Sequence, residues 1–279
     1  MKRSLESDSD GSAWTFLTTR HPVVFGLVVT VLLLAVYVAA NIVSTLITTE
    51  ATSQRVLEAL LRFGAAAACA WVIWRVGLAA DAGLLHGGTW GGWLIVVLVL
   101  AFQVPVQLFA WFDSLTVSVS DWPQVGSIAL NGAAAGVLEE MAFRGLLLFG
   151  LLSIWTDSRH GVVKSVALSC VLFGAGHLFR LLMGQPLPQV SLLVLDAAVS
   201  GIFYAGIVLY ARSIWPAVVY HVVPNAVVGA YAAATPGFSE TVSGWVLILL
   251  SEIPVVALGV YLLVRAVRRT PIIAAGHHQ

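Results

Sequence analysis

Eight apolar stretches, each about the length that crosses a bilayer, follow one another along the chain. They lie at about 22–48, 56–79, 90–112, 127–152, 163–182, 189–211, 214–234 and 243–264. A spanning helix needs about 20 such residues. Lipid supplies no partner for backbone N–H and C=O groups, so each stretch must satisfy its own, and that means helix. The charge content agrees. Only 10% of the 279 residues are charged and 59% are hydrophobic, with a mean hydropathy of +0.93, whereas a soluble domain carries about a quarter charged residues. A water-soluble enzyme, a disordered regulator and a nucleic-acid binder are excluded on these proportions. The 14 basic and 14 acidic residues balance, so no polyanionic partner is implied. Cys69 and Cys170 sit inside apolar runs as small hydrophobes, without the pattern of a disulfide framework. The sequence predicts an all-α polytopic integral membrane protein, a bundle of about eight transmembrane helices.

Residues 1–21 are polar and too long for the basic n-region of a cleaved signal peptide. They read as a cytoplasmic N-terminal tail, 22–266 as the eight-span membrane domain and 267–279 as a short cytoplasmic C-terminal tail. The second stretch is thinned at its start by Arg55, Glu58 and Arg62, which share a helical face and can pair near the interface. Trp90, Trp93, Trp111, Trp122, Trp155, Trp215 and Trp245 fall near span ends, where indoles anchor at the headgroups. With eight spans and a cytoplasmic N-terminus, ten basic residues lie on the inside: Lys2, Arg3, Arg20, Arg75, Arg159, Lys164, Arg212, Arg265, Arg268 and Arg269. The outside loops hold three: Arg55, Arg62 and Arg180. The positive-inside rule therefore favours both termini in the cytoplasm.

An ionisable group at the bilayer centre costs roughly 2.5–3.5 kcal/mol on insertion scales, so it needs a partner or a task. The fourth stretch contains Glu139, Glu140 and Arg144; the fifth, His177 four residues after Phe173; the seventh, His221 and Asn225. Glu140 and Arg144 are i, i+4 and can pair on one face. Glu139 lies about 140° around an α-helix from Arg144, which leaves its carboxylate free for another span. His221 and Asn225 project together, with Pro224 between them removing a backbone donor and predicting a kink. Gly174 and Gly176 permit close helix approach beside His177. Asp196, in the sixth stretch, has no assigned partner. Arg180 reads as an interfacial snorkelling residue.

A carboxylate and a histidine can orient and deprotonate water, and a second polar pair can hold an oxyanion, so this set suits amide hydrolysis. Counting about 1.5 Å per residue, Glu139 and His221 lie roughly 10–12 Å from the cytoplasmic surface. His177 comes out deeper, and all three share a layer only if the fifth span begins a turn or two late. Water must reach the set, which predicts a hydrophilic chamber.

Three motifs in order, E-E-x-x-x-R (Glu139, Glu140, Arg144), F-x-x-x-H (Phe173, His177) and H-x-x-x-N (His221, Asn225), resemble those of the CPBP family. That family comprises the CAAX prenyl endopeptidases and bacterial relatives, some linked to bacteriocin processing or self-immunity. The resemblance spans residues 139–225; the rest agrees in hydropathy and span count alone. It implies an intramembrane endopeptidase in which Glu139, assisted by His177, is general base on water. His221 and Asn225 would stabilise the oxyanion, Glu140 and Arg144 would support the site, and Phe173 would line it. It implies no cofactor in the favoured reading, with zinc on Glu139, His177 and His221 as the alternative. H-E-x-x-H, G-x-G-D and G-x-S-x-G motifs are absent from the sequence. A non-proteolytic immunity or scaffold protein is the second reading and a proton-coupled transporter the third. Expected partners are membrane lipid and a membrane-associated or C-terminally processed peptide, with no nucleic acid. Abundant Ala, Gly, Val and Leu with few Lys suggest a bacterial plasma membrane, where prenylated proteins are not the natural substrate.

Overall fold

The computed structural model describes residues 21–112, 121–155, 159–235 and 237–269. Nearly all of the proposed N-terminal tail, and residues 270–279 of the C-terminal one, lie outside the described residues. The described chain is an all-α membrane protein. Its helices are α1 (Pro22–Ile47), α2 (Ala51–Arg75), α3 (Trp90–Trp111), α4 (Trp122–Glu140), a π-helical segment (Met141–Leu148), α5 (Phe149–Trp155), α6 (Arg159–Gly176), α7 (Phe179–Leu182), α8 (Leu187–Ala211), α9 (Trp215–Ala234) and α10 (Val242–Arg269). No strand occurs among the described residues.

Seven helical segments are long and apolar enough to cross a membrane: α1, α2, α3, residues 160–182, α8, α9 and α10. The remaining rod, α4 through α5, carries Glu139, Glu140 and Arg144 and is too polar to qualify by composition. At about 1.5 Å per residue it is roughly 50 Å long, more than the ~30 Å hydrocarbon core. The rod is therefore longer than the core it crosses, and α6 packs back against α5.

Local chemistry sets the helix ends. Glu50 caps α2 by accepting from the amides of Thr52 (2.8 Å) and Ser53 (2.5 Å). Those donors hold its carboxyl at about 2, below the usual 4.5. Thr89 caps α3 and Asp121 caps α4 in the same manner. The second span thus starts at Ala51, earlier than its charges suggest, because Glu58 and Arg62 pair at 3.2 Å and Asn131 of α4 donates to Glu58 at 3.0 Å. Arg62 also donates to the Asn131 carboxamide. Pro224 is accommodated within one uninterrupted helix, α9.

Successive long rods run antiparallel, giving the bundle two faces. One face gathers the 76–89 connection and the α8–α9 turn: Thr89 N–H donates to Ala211 C=O, Ser213 Oγ to His86 C=O, and Trp215 Nε1 to Leu84 C=O. Gly83, at φ +63, lies against the Arg212 carbonyl with no room for a Cβ. The start of α1 and the end of α10 lie on this face. The opposite face gathers the α1–α2 turn, the end of α3 and the starts of α8 and α10, joined by Trp111–Phe238, Trp111–Trp245 and Gln189–Glu240 contacts.

Small residues set the closest crossings. A Cβ on Gly206 would lie 2.6 Å from the Gly259 carbonyl, and one on Gly259 would lie 2.7 Å from Phe203 Cα, so α8 and α10 touch backbone to backbone. Gly174 approaches α8 likewise, 2.7 Å from the Val194 carbonyl, whereas Gly176 meets only Thr30 at 3.9 Å. Of the two glycines beside His177, Gly174 alone makes the close crossing.

Candidate active site

The α4–α5 rod and α6 form a hairpin whose two arms are of similar length, roughly 20–25 Å from the turn up to Glu139 and to Phe173 at 1.5 Å per residue. This brings the fifth-span motif level with the fourth. The Phe173 ring packs edge-on against Phe143 (5.1 Å between centroids), His177 (5.2 Å) and His221 (5.9 Å). α6 begins at Arg159, earlier than the apolar run that starts at about 163, and His177 still meets the layer of His221 through Phe173.

The π-helical segment starts directly after Glu140, where an i→i+5 turn widens the helix; such segments are frequent at functional sites. Arg144 lies within it and is fully buried. Its Nη1 stands 3.2 Å from Glu140 Oε1. Its guanidinium lies 4.1 Å from the Phe173 ring centroid and 4.6 Å from that of Tyr204. Gly201 leaves the space: a Cβ there would be 3.2 Å from Arg144 Nη2.

Glu140 is not tied to Arg144 alone. Its Oε1 also accepts from His221 Nδ1 at 2.9 Å. One buried carboxylate therefore bridges the guanidinium and the imidazole, an inter-helix link that spacing along one helix does not reveal. Glu139 points to other spans, as its position around the helix predicts. Tyr37 of α1 donates to its Oε1 at 2.6 Å, and His221 Nε2 is 3.7 Å from its Oε2. His221 thus stands between two carboxylates. His177 Nδ1 lies 3.0 Å from the Phe173 carbonyl; an acceptor there requires Nδ1–H and leaves the Nε2 lone pair available. Asn225, one turn beyond His221, is half-buried.

Glu139, Phe173, His177, His221 and Asn225 all line one cavity of about 800 Å3. Its upper walls include Ile128, Asn131, Val228 and Ala232, and its rim Ala51, Arg55, Trp111, Arg180 and Glu240. Arg180 faces Glu240 across this rim at 3.5 Å, which gives it a partner beyond the interfacial position assigned from sequence. Beneath the carboxylates the interior is closed by Ile73, Leu147, Leu148, Leu151, Ile207 and Ile214.

Other wall residues escaped the sequence reading. Tyr37 and Tyr204 look like ordinary span aromatics in one dimension. Glu252 carried a legible signal, a carboxylate well inside an apolar run, and it belongs to a second polar patch. There Gln103 donates to Glu252, and Ser251 donates to Gln103 at 3.0 Å. Asp196 lines the cavity with Glu252.

The zinc alternative requires three converging ligands. No group of three His, Cys, Asp or Glu side chains suited to a metal ion occurs among the described residues. Glu140 holds Nδ1 of His221 and the Phe173 carbonyl holds Nδ1 of His177, contacts that leave Nε2 of each ring for a ligand or a proton.

Residues 121–227, from the cap of α4 to just past Asn225, match the family model for Type II CAAX prenyl endopeptidase Rce1-like proteins. This stretch, somewhat over a third of the chain, is similar to that family. The match agrees with the three motifs and contains all of them. No curated protein and no solved structure matches the chain. Its seven long apolar helices make the chain an integral membrane protein, and its matched core is similar to proteases of the CAAX type.

Proposed function

We propose that the protein hydrolyses a peptide bond within the membrane by glutamate-activated water. The observation that carries this reading is the polar set at the cavity floor: hydrogen bonds Tyr37–Glu139 at 2.6 Å and His221–Glu140 at 2.9 Å and the ion pair Glu140–Arg144 at 3.2 Å, beside a His177 ring with one nitrogen available. Glu139 takes a proton from water, assisted by His177, and the hydroxide attacks the carbonyl carbon. His221 and Asn225 donate to the oxyanion that forms. The proton held on Glu139 passes to the departing amine as the C–N bond breaks. Glu140 and Arg144 orient His221, and Phe173 packs the floor.

The steps above use protein groups alone; His177 and His221 each keep Nε2 beyond their Nδ1 contacts, so zinc on Glu139, His177 and His221 is the alternative that the chelator arm below tests. The proposed setting is a bacterial plasma membrane with both termini in the cytoplasm, supported by the ten-to-three distribution of basic residues. His221 lies about 9 Å along α9 from Trp215, so the scissile bond would sit in the cytoplasmic half of the membrane. The partners are lipid and a membrane-associated peptide substrate.

The test is terminal-peptide profiling of membranes expressing the wild type or Glu139→Gln, with and without a zinc chelator. New termini should appear with the wild type alone and survive the chelator. General-base loss typically costs on the order of 10²–10⁴ in rate, enough to erase them. Reversible loss on chelation would refute the metal-free mechanism. Identical termini from both proteins at equal expression, in the native host, would refute proteolysis.

A further inference from the structure

Five acidic residues line the cavity: Glu58, Glu139, Asp196, Glu240 and Glu252. Three of them face a basic side chain, Glu58 that of Arg62, Glu139 that of His221 and Glu240 that of Arg180. Among the described residues, no Lys, Arg or His pairs with the other two. Asp196 is on α8 and Glu252 on α10, and their carboxylates interact electrostatically from these neighbouring helices. Glu252 is only 3% exposed. Gln103 of α3 donates to its Oε1, and Ser251 donates to Gln103 at 3.0 Å, so neutral groups hold this carboxylate on one side. Its Oε2 and Asp196 Oδ1 are buried without a hydrogen-bond partner. An acid inside a membrane bundle is costly unless a partner satisfies it. Here two acids share one deficit of positive charge.

We infer that Asp196 and Glu252 form a subsite for a cationic side chain, the lysine or arginine of a substrate peptide that is cut at the cavity floor. The role in substrate selection rests on the proteolytic reading above; the binding of a cation does not. One helix face joins the subsite to the floor. Asp196, Ser200 and Tyr204 follow at i, i+4 and i+8 on α8, and all three line the cavity. The Tyr204 ring lies 5.0 Å from that of His221. Asp196 is two turns further along, about 12 Å at 1.5 Å per helical residue. At about 3.3 Å per residue of extended chain, the basic residue falls within about four residues of the scissile bond. The chemistry of the pair favours an ammonium or guanidinium over a metal ion. Two carboxylates can divide the several donors of either head group between them. No cluster of three metal-ligating side chains occurs among the described residues. The same pair rejects a peptide that carries Asp or Glu at this position, because like charges would then meet in a buried site.

The test measures binding to the purified full chain carrying Glu139→Gln, which keeps the subsite and does not cut. The probes are two capped Ala–Leu peptides that differ at one central residue, Lys or norleucine. The Lys peptide should bind roughly 10- to 100-fold more tightly, the range expected for hydrogen bonds to charged groups. Adding Asp196→Asn with Glu252→Gln should abolish that difference and leave norleucine binding as it was. Asp196→Asn alone should reduce it, which keeps the test decisive if the double variant does not fold. Equal binding of the two peptides, with the acid pair intact, overturns the inference. So does a Lys preference that survives the amide variants. Thermal stabilisation by sodium ions without a Lys preference assigns the pair to an inorganic cation and overturns it equally. Terminal-peptide profiling separates this from the proteolytic reading. Lys or Arg should be enriched at one position within about four residues of the Glu139-dependent cuts. Cuts without that enrichment would overturn the substrate role and leave the protease intact. Lys-dependent binding without any Glu139-dependent cut would uphold the cation site and remove the protease.

Discussion

At the scale of single residues, the site depends on two buried carboxylates with different company. Glu139 has a tyrosine hydroxyl from α1, and Glu140 has a guanidinium and an imidazole. Tyr37→Phe keeps the ring under Arg62, which lies 4.5 Å from its centroid, and removes only the donor. A hydrogen bond to a charged group contributes about 1.5–3 kcal/mol. Turnover of a cleaved substrate should therefore fall roughly 10- to 100-fold, with a drop in melting temperature in detergent smaller than that of Arg144→Ala. Arg144 is a different case. Arg144→Ala leaves Glu140 buried with one cation fewer and empties the space between Phe173 and Tyr204. Breaking such a buried pair costs about 3–5 kcal/mol, which should appear as a marked drop in thermal stability. Arg144→Lys should recover little, because an ammonium cannot reproduce the flat stack on the two rings.

At the scale of elements, two devices position the motifs. One is the π-helical segment, which begins at the residue after Glu140 and carries Arg144 on the widened turn. The other is backbone contact between small residues, with α8 against α10 at Gly206 and Gly259, and α8 against α6 at Gly174. In lipid no hydrophobic driving force separates buried from exposed apolar faces, so close van der Waals contact at small residues decides which helices pair. Gly206→Val should push α10 away, a small-to-large change of the kind that costs about 1–3 kcal/mol. Size-exclusion profiles after detergent extraction should show loss of the monodisperse species. Gly176→Ala, which meets only Thr30 at ordinary contact distance, should leave the profile as it was.

For the whole molecule, the closed face and the open face are chemically distinct, and this polarity predicts its orientation. Basic residues crowd the connections at the closed end, while the open end is ringed by paired charges and by Trp111, Phe238 and Trp245. A fluorescent-protein fusion after Arg269 should glow in a bacterial host, and an alkaline phosphatase fusion at the same point should be inactive. The reverse pattern would overturn that orientation.

The sequence alone determined the class of fold and the residues that meet at the site. Lipid leaves an apolar run of about 20 residues no option but helix, so span positions were legible to within a few residues. Ionisable groups inside such runs are costly enough that Glu139, Glu140, Arg144, His177 and His221 stood out in one dimension. The family match over 121–227 lies on those same motifs. What the sequence did not hold was contact across spans. That Glu140 reaches His221, that Tyr37 serves Glu139, and that Glu252 shares a wall with Asp196 are properties of which helices touch. Apolar faces turned to lipid and to protein look alike in a linear string. The side on which the cavity opens follows from the same cause. It depends on which ends of the helices splay and which are filled by side chains such as Leu147 and Ile214, and only packing in three dimensions decides that.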